Sequence, residues 1–291
     1  MKTLTIVSGK GGVGKSSIAA SLAVMISKQK RIVAVDCDVD ASNFPLLFGV
    51  SQLDKKERVS TNYKAFVNNK AKNCKNIVDI CAFSAISWNE KNELPEINHF
   101  LCEGCGACKL LCKEGITLKK VKNAVVGQSE TKYGFPIVSG QLEMGESGSG
   151  NVVEFVKSRA RKLAEKTGAE LIIVDSSAGI GCPVIASVRE SDFVIGVTEP
   201  TPSGLSDLKR VFEVVDHFGI PHGIIINKHD INPDFTRKIE QFAKESSIPI
   251  LGKLPYDKDF VRAVVSLKPV VEINPKYHKT FQDLSKTVLN K

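Results

Sequence analysis

"SGKGGVGKSS" (residues 8–17) stands directly after an apolar run, "LTIV" (4–7), and opens a helix-length stretch, Ser16–Lys28. A strand that ends in clustered glycines and hands over to a helix is built to grip phosphate. The glycines let successive backbone N–H groups turn inward, and the helix N-terminus adds partial positive charge. Gly9, Gly14, Lys15 and Ser16 satisfy GxxxxGK(S/T), so Gly11, Gly12, Val13, Gly14, Lys15, Ser16 and Ser17 are the expected cradle. Lys15 is expected to reach the β and γ phosphates, and the Ser16 hydroxyl to ligate Mg²⁺.

Outward from this stretch the chain keeps a βαβ rhythm. Strand-like runs recur at "IVAVD" (32–36), "LIIVD" (171–175), "FVIGV" (193–197) and "GIIIN" (223–227), with a short "ILGKLP" (250–255) after them. Continuous β-branched runs suit strands buried on both faces of a parallel sheet. Helical stretches alternate with them at Val152–Glu165, Gly204–His217 and Phe235–Glu245. The pattern predicts an α/β fold with a doubly wound, mostly parallel sheet and ligands at the carboxyl ends of its strands. "SGQLEMGESGSGN" (139–151) reads as a loop leading into a helix.

Lys10, early in the glycine loop, gives it a further character. "KGGVGKS" resembles the deviant Walker A motif of the MinD/ParA/Mrp class of P-loop ATPases, which includes the nitrogenase iron protein. "VDCDVDASN" (35–43) is similar to that family's DxDxxxxN segment, with Asp36, Asp38 and Asn43 on its positions. "IIVDSSAGIGCP" (172–183) is similar to its Walker B and switch region, with Asp175 at the strand end. "VTEPTPSGLSDLKR" (197–210) and "LPYDKDFVRA" (254–263) also resemble Mrp-like relatives. The resemblance implies ATP hydrolysis with Mg²⁺ held by Ser16, Asp36 and Asp175, and an attacking water positioned by Asp38. It also implies a homodimer, or a heterodimer with a similar ATPase, in which Lys10 crosses to the partner's nucleotide. "NKHD" (227–230) fits the N-K-x-D form that reads guanine, while Asn227 at the base and Lys228 flanking it also fit the MinD-like ATPases. ATP is the expected nucleotide and GTP the alternative.

The rhythm breaks from about residue 55 to 120, where six of the eight cysteines fall between Cys74 and Cys112. The expected division is a first ATPase part at 1–58, an insert at 59–119 and a second ATPase part at 120–291. "CEGCGACKLLC" (102–112) is a complete C-x2-C-x2-C-x3-C motif, the bacterial ferredoxin spacing. A degenerate first copy, aligned on Cys81, keeps Cys74 but has Ala71 and Ile77 at its first and third positions. In two-cluster ferredoxins the fourth cysteine of each copy ligates the other copy's cluster. Cys102, Cys105, Cys108 and Cys81 would therefore complete one [4Fe–4S] cluster, whereas Cys74 and Cys112 alone are too few for a second. The expectation is a small ferredoxin-like α+β insert with one cluster, although four such thiolates also suit a zinc ion. Lys113 stands where ferredoxins carry proline. Cys37 and Cys182 read as packing residues.

With 291 residues, 42% apolar and 25% charged, the composition is that of a globular protein. No apolar run reaches the length of a membrane span and the N-terminus lacks a signal pattern, so no transmembrane segment and a cytoplasmic location are expected. The net charge of +8 is spread along the chain, as in "DKKERV", "LKKVKN" and "KSRARK", so no dedicated nucleic-acid site is expected. The five histidines show no zinc spacing. Tyr277, Phe281, Leu284 and Val288 fall on one face of a C-terminal helix expected to pack on the domain. Two functions are consistent with this reading. In one, a nucleotide-driven dimer switch is coupled to a single cluster, for electron transfer or for carriage to a redox or iron–sulfur client. In the other, a ParA/MinD-like positioning switch carries a zinc-binding or vestigial docking insert.

Overall fold

The strand rhythm read from the sequence emerges as one large sheet in the computed structural model, which describes residues 1–290. In chain order, β1 (Lys2–Ser8) leads into α1 (Lys15–Ser27), β2 (Ile32–Cys37) and β3 (Lys55–Val59). A separate small unit follows, with β4 (Asn62–Val67), β5 (Ile86–Asn89), β6 (Leu94–Ile97), α2 (Ala107–Leu111) and β7 (Ile116–Val121). β8 (Ala124–Glu130) and β9 (Pro136–Leu142) return to the large sheet. The alternation then resumes through α3 (Ser149–Thr167), β10 (Leu171–Ala178), α4 (Cys182–Val188), β11 (Phe193–Thr198) and α5 (Pro202–His217). It closes with β12 (His222–Asn227), α6 (Pro233–Glu245), β13 (Ile250–Leu254), α7 (Lys258–Val265), α8 (Val270–Ile273) and α9 (Lys276–Leu289).

The sheet has nine strands in the order β13-β12-β11-β1-β10-β2-β9-β8-β3. All pairs from β13 to β9 are parallel, whereas β8 is antiparallel to both its neighbours. Period-two alternation divides the apolar residues between two layers. On β2, Ile32 and Ala34 join the core under α1 and α9, while Val33 and Val35 join the core under α3. On β1, Leu4 and Ile6 face the first of these layers and Val7 faces the layer under α5. Such strands must be covered on both sides, which the helices do. On α9, Tyr277, Phe281, Leu284 and Val288 are all buried, and the helix packs on α1. No described helix is long and apolar enough to cross a membrane.

One reading of the sequence needs correction. Ser139–Leu142, taken as loop, belongs to β9, where Val138 and Ser139 pair with Val35 and Asp36 of β2. The glycine and serine content masked a strand whose apolar half is "PIV" (136–138). In the interrupted stretch, β4–β7 and β5–β6 form short antiparallel pairs of mixed polarity.

Those two pairs enclose a core of small residues: Ala65, Ala71, Ile77, Ala85, Ile86 and Ile116, together with Cys102, Cys108 and Cys112. A unit this small buries little apolar surface and needs covalent or metal support. A disulfide joins Cys74 to Cys112 with 5.9 Å between their Cα atoms, closing a loop of sequence separation 38. Such a loop closure is worth about 4 kcal/mol in the chain-entropy account. Cys74→Ala combined with Cys112→Ala is expected to lower the unfolding free energy of this unit by about 3–4 kcal/mol. Urea titration followed by fluorescence of Trp88, the only tryptophan and part of β5, measures it.

Candidate functional site

The glycine loop turns as the sequence requires. Gly12 and Gly14 take φ values of 81° and 93°, in the left-handed region that side chains disfavour. Gly14 is the N-cap of α1, which has no side-chain cap and no acid in its first turn, so the opening N–H groups there are not satisfied by a cap. A Cβ at Gly14 would lie 2.4 Å from the amide nitrogen of Asn227, which donates to the Val13 carbonyl at 2.8 Å. The end of β12 therefore packs directly on the loop.

Around it, the carboxyl ends of β1, β2, β10 and β12 bring together the residues singled out in the sequence. Lys15 is buried, and its Nζ donates to Asp175 Oδ1 at 2.6 Å and lies 3.2 Å from Ser16 Oγ. Asp36 pairs in register with Asp175 across β2 and β10. Burial pushes the Asp36 carboxyl up to about 7, and the neighbouring Asp175 pushes the same way. Bonds from the Ser42 hydroxyl (2.8 Å) and the Asp38 N–H (3.0 Å) oppose that rise. Asp38 is half-buried, and desolvation raises its carboxyl above the ordinary range while the Lys15 ammonium opposes it. Two buried carboxyl groups and one buried ammonium thus share one site. Asn43 is exposed and donates to the Ala41 carbonyl.

A second charged cluster flanks the loop. Lys10 Nζ lies 2.7 Å from Glu199 Oε1, and Lys228 Nζ lies 2.8 Å from Glu199 Oε2 and 3.2 Å from the Gly12 carbonyl. Burial pushes the Glu199 carboxyl up, but the bonds from the two lysines outweigh it and hold it below the usual range. The sequence reading missed Glu199. Its position immediately after β11, at the same sheet edge, was the available signal. Asp230, the last residue of "NKHD", accepts the Tyr256 N–H at 2.6 Å. A cleft of about 650 Å³ lies at the opposite sheet edge, lined by Lys2, Lys30, Glu170 and Asp192 among others. Its polar groups are spent on architecture, as Asp192 accepts the Thr3 N–H and Lys30 pairs with Glu170.

Of the six cysteines in the small unit, Cys74 and Cys112 form the disulfide and the other four are free. Cys81, Cys102, Cys105 and Cys108 line one small pocket walled by Ala65, Ala85, Ile86 and Ile97. The Ala85 N–H points at Cys81 Sγ (3.3 Å) and the Ala65 N–H at Cys102 Sγ (3.5 Å). Gly104 and Gly106 have positive φ, and a side chain at Gly104 would strike the Tyr63 carbonyl. Burial raises the Cys108 thiol, as do the nearby Cys102 and Cys105 sulfurs. Among the described residues, no group of three or more His, Cys, Asp or Glu is placed to hold a metal ion. Cys37 is buried, but Cys182, expected to be packed away, is exposed at the start of α4.

Residues 4–270 match a family model described as the CobQ/CobB/MinD/ParA nucleotide binding domain. The chain is 37% identical over 283 residues to an uncharacterised protein of Methanocaldococcus jannaschii, covering 97% of this chain and 94% of that one. It is 24% identical over 298 residues to the septum site-determining protein MinD of Helicobacter pylori, covering 98% and 90%. The solved structure of septum site-determining protein MinD from Pyrococcus horikoshii, complexed with Mg-ADP, superposes with a TM-score of 0.62. It does so at 18% identity over 99% of this chain and 95% of that one, a likeness of fold.

The charge arrangement makes two predictions for the free protein. Lys15→Met strands the buried Asp175 and is expected to cost about 3 kcal/mol of stability, most of which Lys15→Met with Asp175→Asn regains. Urea unfolding of the four proteins of that cycle measures it. The Asp36 carboxyl is raised from 3.8 to about 7, so the unfolded chain loses this proton first as pH rises. Relative to Asp36→Asn, wild-type stability is expected to fall from about pH 4 to about pH 7 and then level off.

Proposed function

The chain belongs to the CobQ/CobB/MinD/ParA nucleotide-binding family, and from that premise we propose a Mg²⁺-dependent ATPase whose subunit-closing cycle acts on one [4Fe–4S] cluster held by Cys81, Cys102, Cys105 and Cys108. The observation that carries the cluster is the pocket, where four thiols from two distant segments line a single apolar recess. The three-residue spacing of Cys102, Cys105 and Cys108 favours a cubane over one zinc ion. Backbone N–H groups aimed at Cys81 and Cys102 suit sulfurs that carry negative charge. When bound, the cluster supplies one-electron transfer, or is itself the cargo passed to a client protein. The insert, bounded near residues 59 and 119, is read as ferredoxin-like on its cysteine spacing and on the β4–β7 and β5–β6 pairs.

At the phosphate loop, Lys15 exchanges Asp175 for the phosphate oxygens of ATP. Asp175, Asp36 and the Ser16 hydroxyl are the residues that would hold Mg²⁺, which neutralises charge on those oxygens. Asp38 would position the attacking water, and its raised carboxyl suits proton acceptance. Lys10 leaves Glu199 to reach the nucleotide of a second subunit, either a copy of this chain or a similar ATPase. Asn227 and Lys228 border the base. Adenine is favoured over guanine because the loop and strand-end motifs are those of the MinD-like ATPases. A cytoplasmic setting supplies the ATP.

A second reading, a positioning switch whose insert docks on a surface or scaffold, draws support from the exposed apolar side chains of Ile80, Phe83, Phe100, Leu101, Leu110 and Leu111 around the cysteine loops. Anaerobic purification with iron, sulfide and zinc analysis separates the two. The cluster reading expects about four irons per chain, lost in Cys81→Ser but kept in Cys74→Ala with Cys112→Ala. It also expects hydrolysis of MgATP, and its binding, to be abolished in Lys15→Ala. Colourless, iron-free protein that sediments with liposomes or DNA in an ATP-dependent way would overturn it in favour of docking.

A further inference from the structure

Two polar side chains of the insert reach back to the loop that joins β9 to α3, residues 143–148. Lys64 is buried on β4, with its Nζ 2.9 Å from Glu146 Oε2 and donating to the His99 carbonyl at 2.5 Å. That Glu146 oxygen is buried and makes no aligned hydrogen bond, so the ammonium is its compensation. Asn62 donates to Ser147 Oγ at 2.8 Å. The ring of Phe100 covers Gly145 so closely that a Cβ there would lie 2.4 Å from it.

The same loop is fixed at its other end to the segment that follows Asp175. Gly150, in the first turn of α3, packs on Cys182, where an added Cβ would approach to 3.2 Å. Farther along α3, buried Lys157 donates to the Ala186 and Ser187 carbonyls at 2.8 Å each, tying α3 to the end of α4. On the insert side, the residue after Lys64 is Ala65, whose N–H points at Cys102 Sγ. His99 lies three positions before Cys102, whose N–H donates to the Asn98 carbonyl at 3.0 Å.

Resting on the nucleotide-and-cluster reading above, we propose that residues 143–150 form a transmission strap and that Lys64 is a positioning residue for the Cys102 sulfur. A shift of Asp175 and α4 on nucleotide binding moves α3 and the strap. Glu146 then pulls on Lys64, and the Ala65 N–H changes its approach to the sulfur. Hydrogen bonds to cluster sulfurs set the reduction potential, so the strap couples the potential to the nucleotide state.

The test compares wild type with Glu146→Gln, which keeps the shape and removes the charge, and with Phe100→Ala, which trims an exposed ring and tolerates failure of the first variant to fold. Amide hydrogen–deuterium exchange over 64–66 and 98–102 is measured with and without MgATP, on iron-loaded and iron-free protein, together with the midpoint potential. The expected result is a several-fold MgATP-dependent change in exchange and a shift in potential in wild type. Both are expected to be diminished at least threefold in the variants, with iron content and MgATP affinity unchanged. Equal MgATP responses in wild type and both variants, or a wild type that binds iron and MgATP without any change in these segments, would overturn the strap. Absence of iron from wild type would instead sink the reading on which it rests, and the exchange on iron-free protein still decides whether 143–150 transmits.

Discussion

A buried lysine must find a buried anion, and the Lys15–Asp175 pair is the constraint around which the rest is arranged. Withdrawing each charge from water costs several kcal/mol, so the pair holds only where geometry fixes both ends. Lys15 is fixed by the left-handed turn at Gly14 and by the helix it begins. Asp175 is fixed by its register in a sheet covered on both faces. Asp36 beside it adds a second carboxyl with no cation of its own, which is why burial drives that group toward neutrality. The free site is therefore nearly balanced in charge. A polyanion that claims Lys15 leaves two acids facing each other, and a divalent cation then restores the balance. Anion and cation are thus linked by electrostatics before any residue moves.

Glu199 repeats this logic on a smaller scale with the signs exchanged, since one carboxylate there is shared by two ammonium groups, one from the glycine loop and one from the end of β12. Both clusters store the lysines against acids of the same chain. The insert meets its own stability problem with sulfur. Its aliphatic core is small, and the Cys74–Cys112 disulfide ties it covalently, while the four free thiols line a recess beside it.

Much of this was legible in the sequence, and the reasons are physical. The parallel strands are continuous β-branched runs, and the phosphate loop is a string of residues with few other uses. The grouping of Cys81 with Cys102, Cys105 and Cys108 came from the ferredoxin cross-over pattern, and all four line one recess. What stayed hidden depends on distance rather than pattern. β9 was obscured by "SGQ", in which Ser139 and Gly140 are buried against β2 and α3 while Gln141 is exposed. Glu199 looked like an ordinary acid after a strand. The Lys64–Glu146 pair joins residues that no local motif relates, and Cys182 read as a packed residue although the backbone turns it outward at the head of α4.

The way the insert leaves the large sheet has its own consequence. Val59, the last residue of β3, pairs with Ala124, the first of β8. The Asn123 side chain accepts from both the Thr61 N–H and its hydroxyl, sealing the exit. The two severed ends of the host sheet therefore stand one rung apart, the gap that an ordinary hairpin turn spans. The cysteine-bearing segment is a cassette in the mechanical sense. Its strands take no part in the nine-strand order of the engine to which it is clipped.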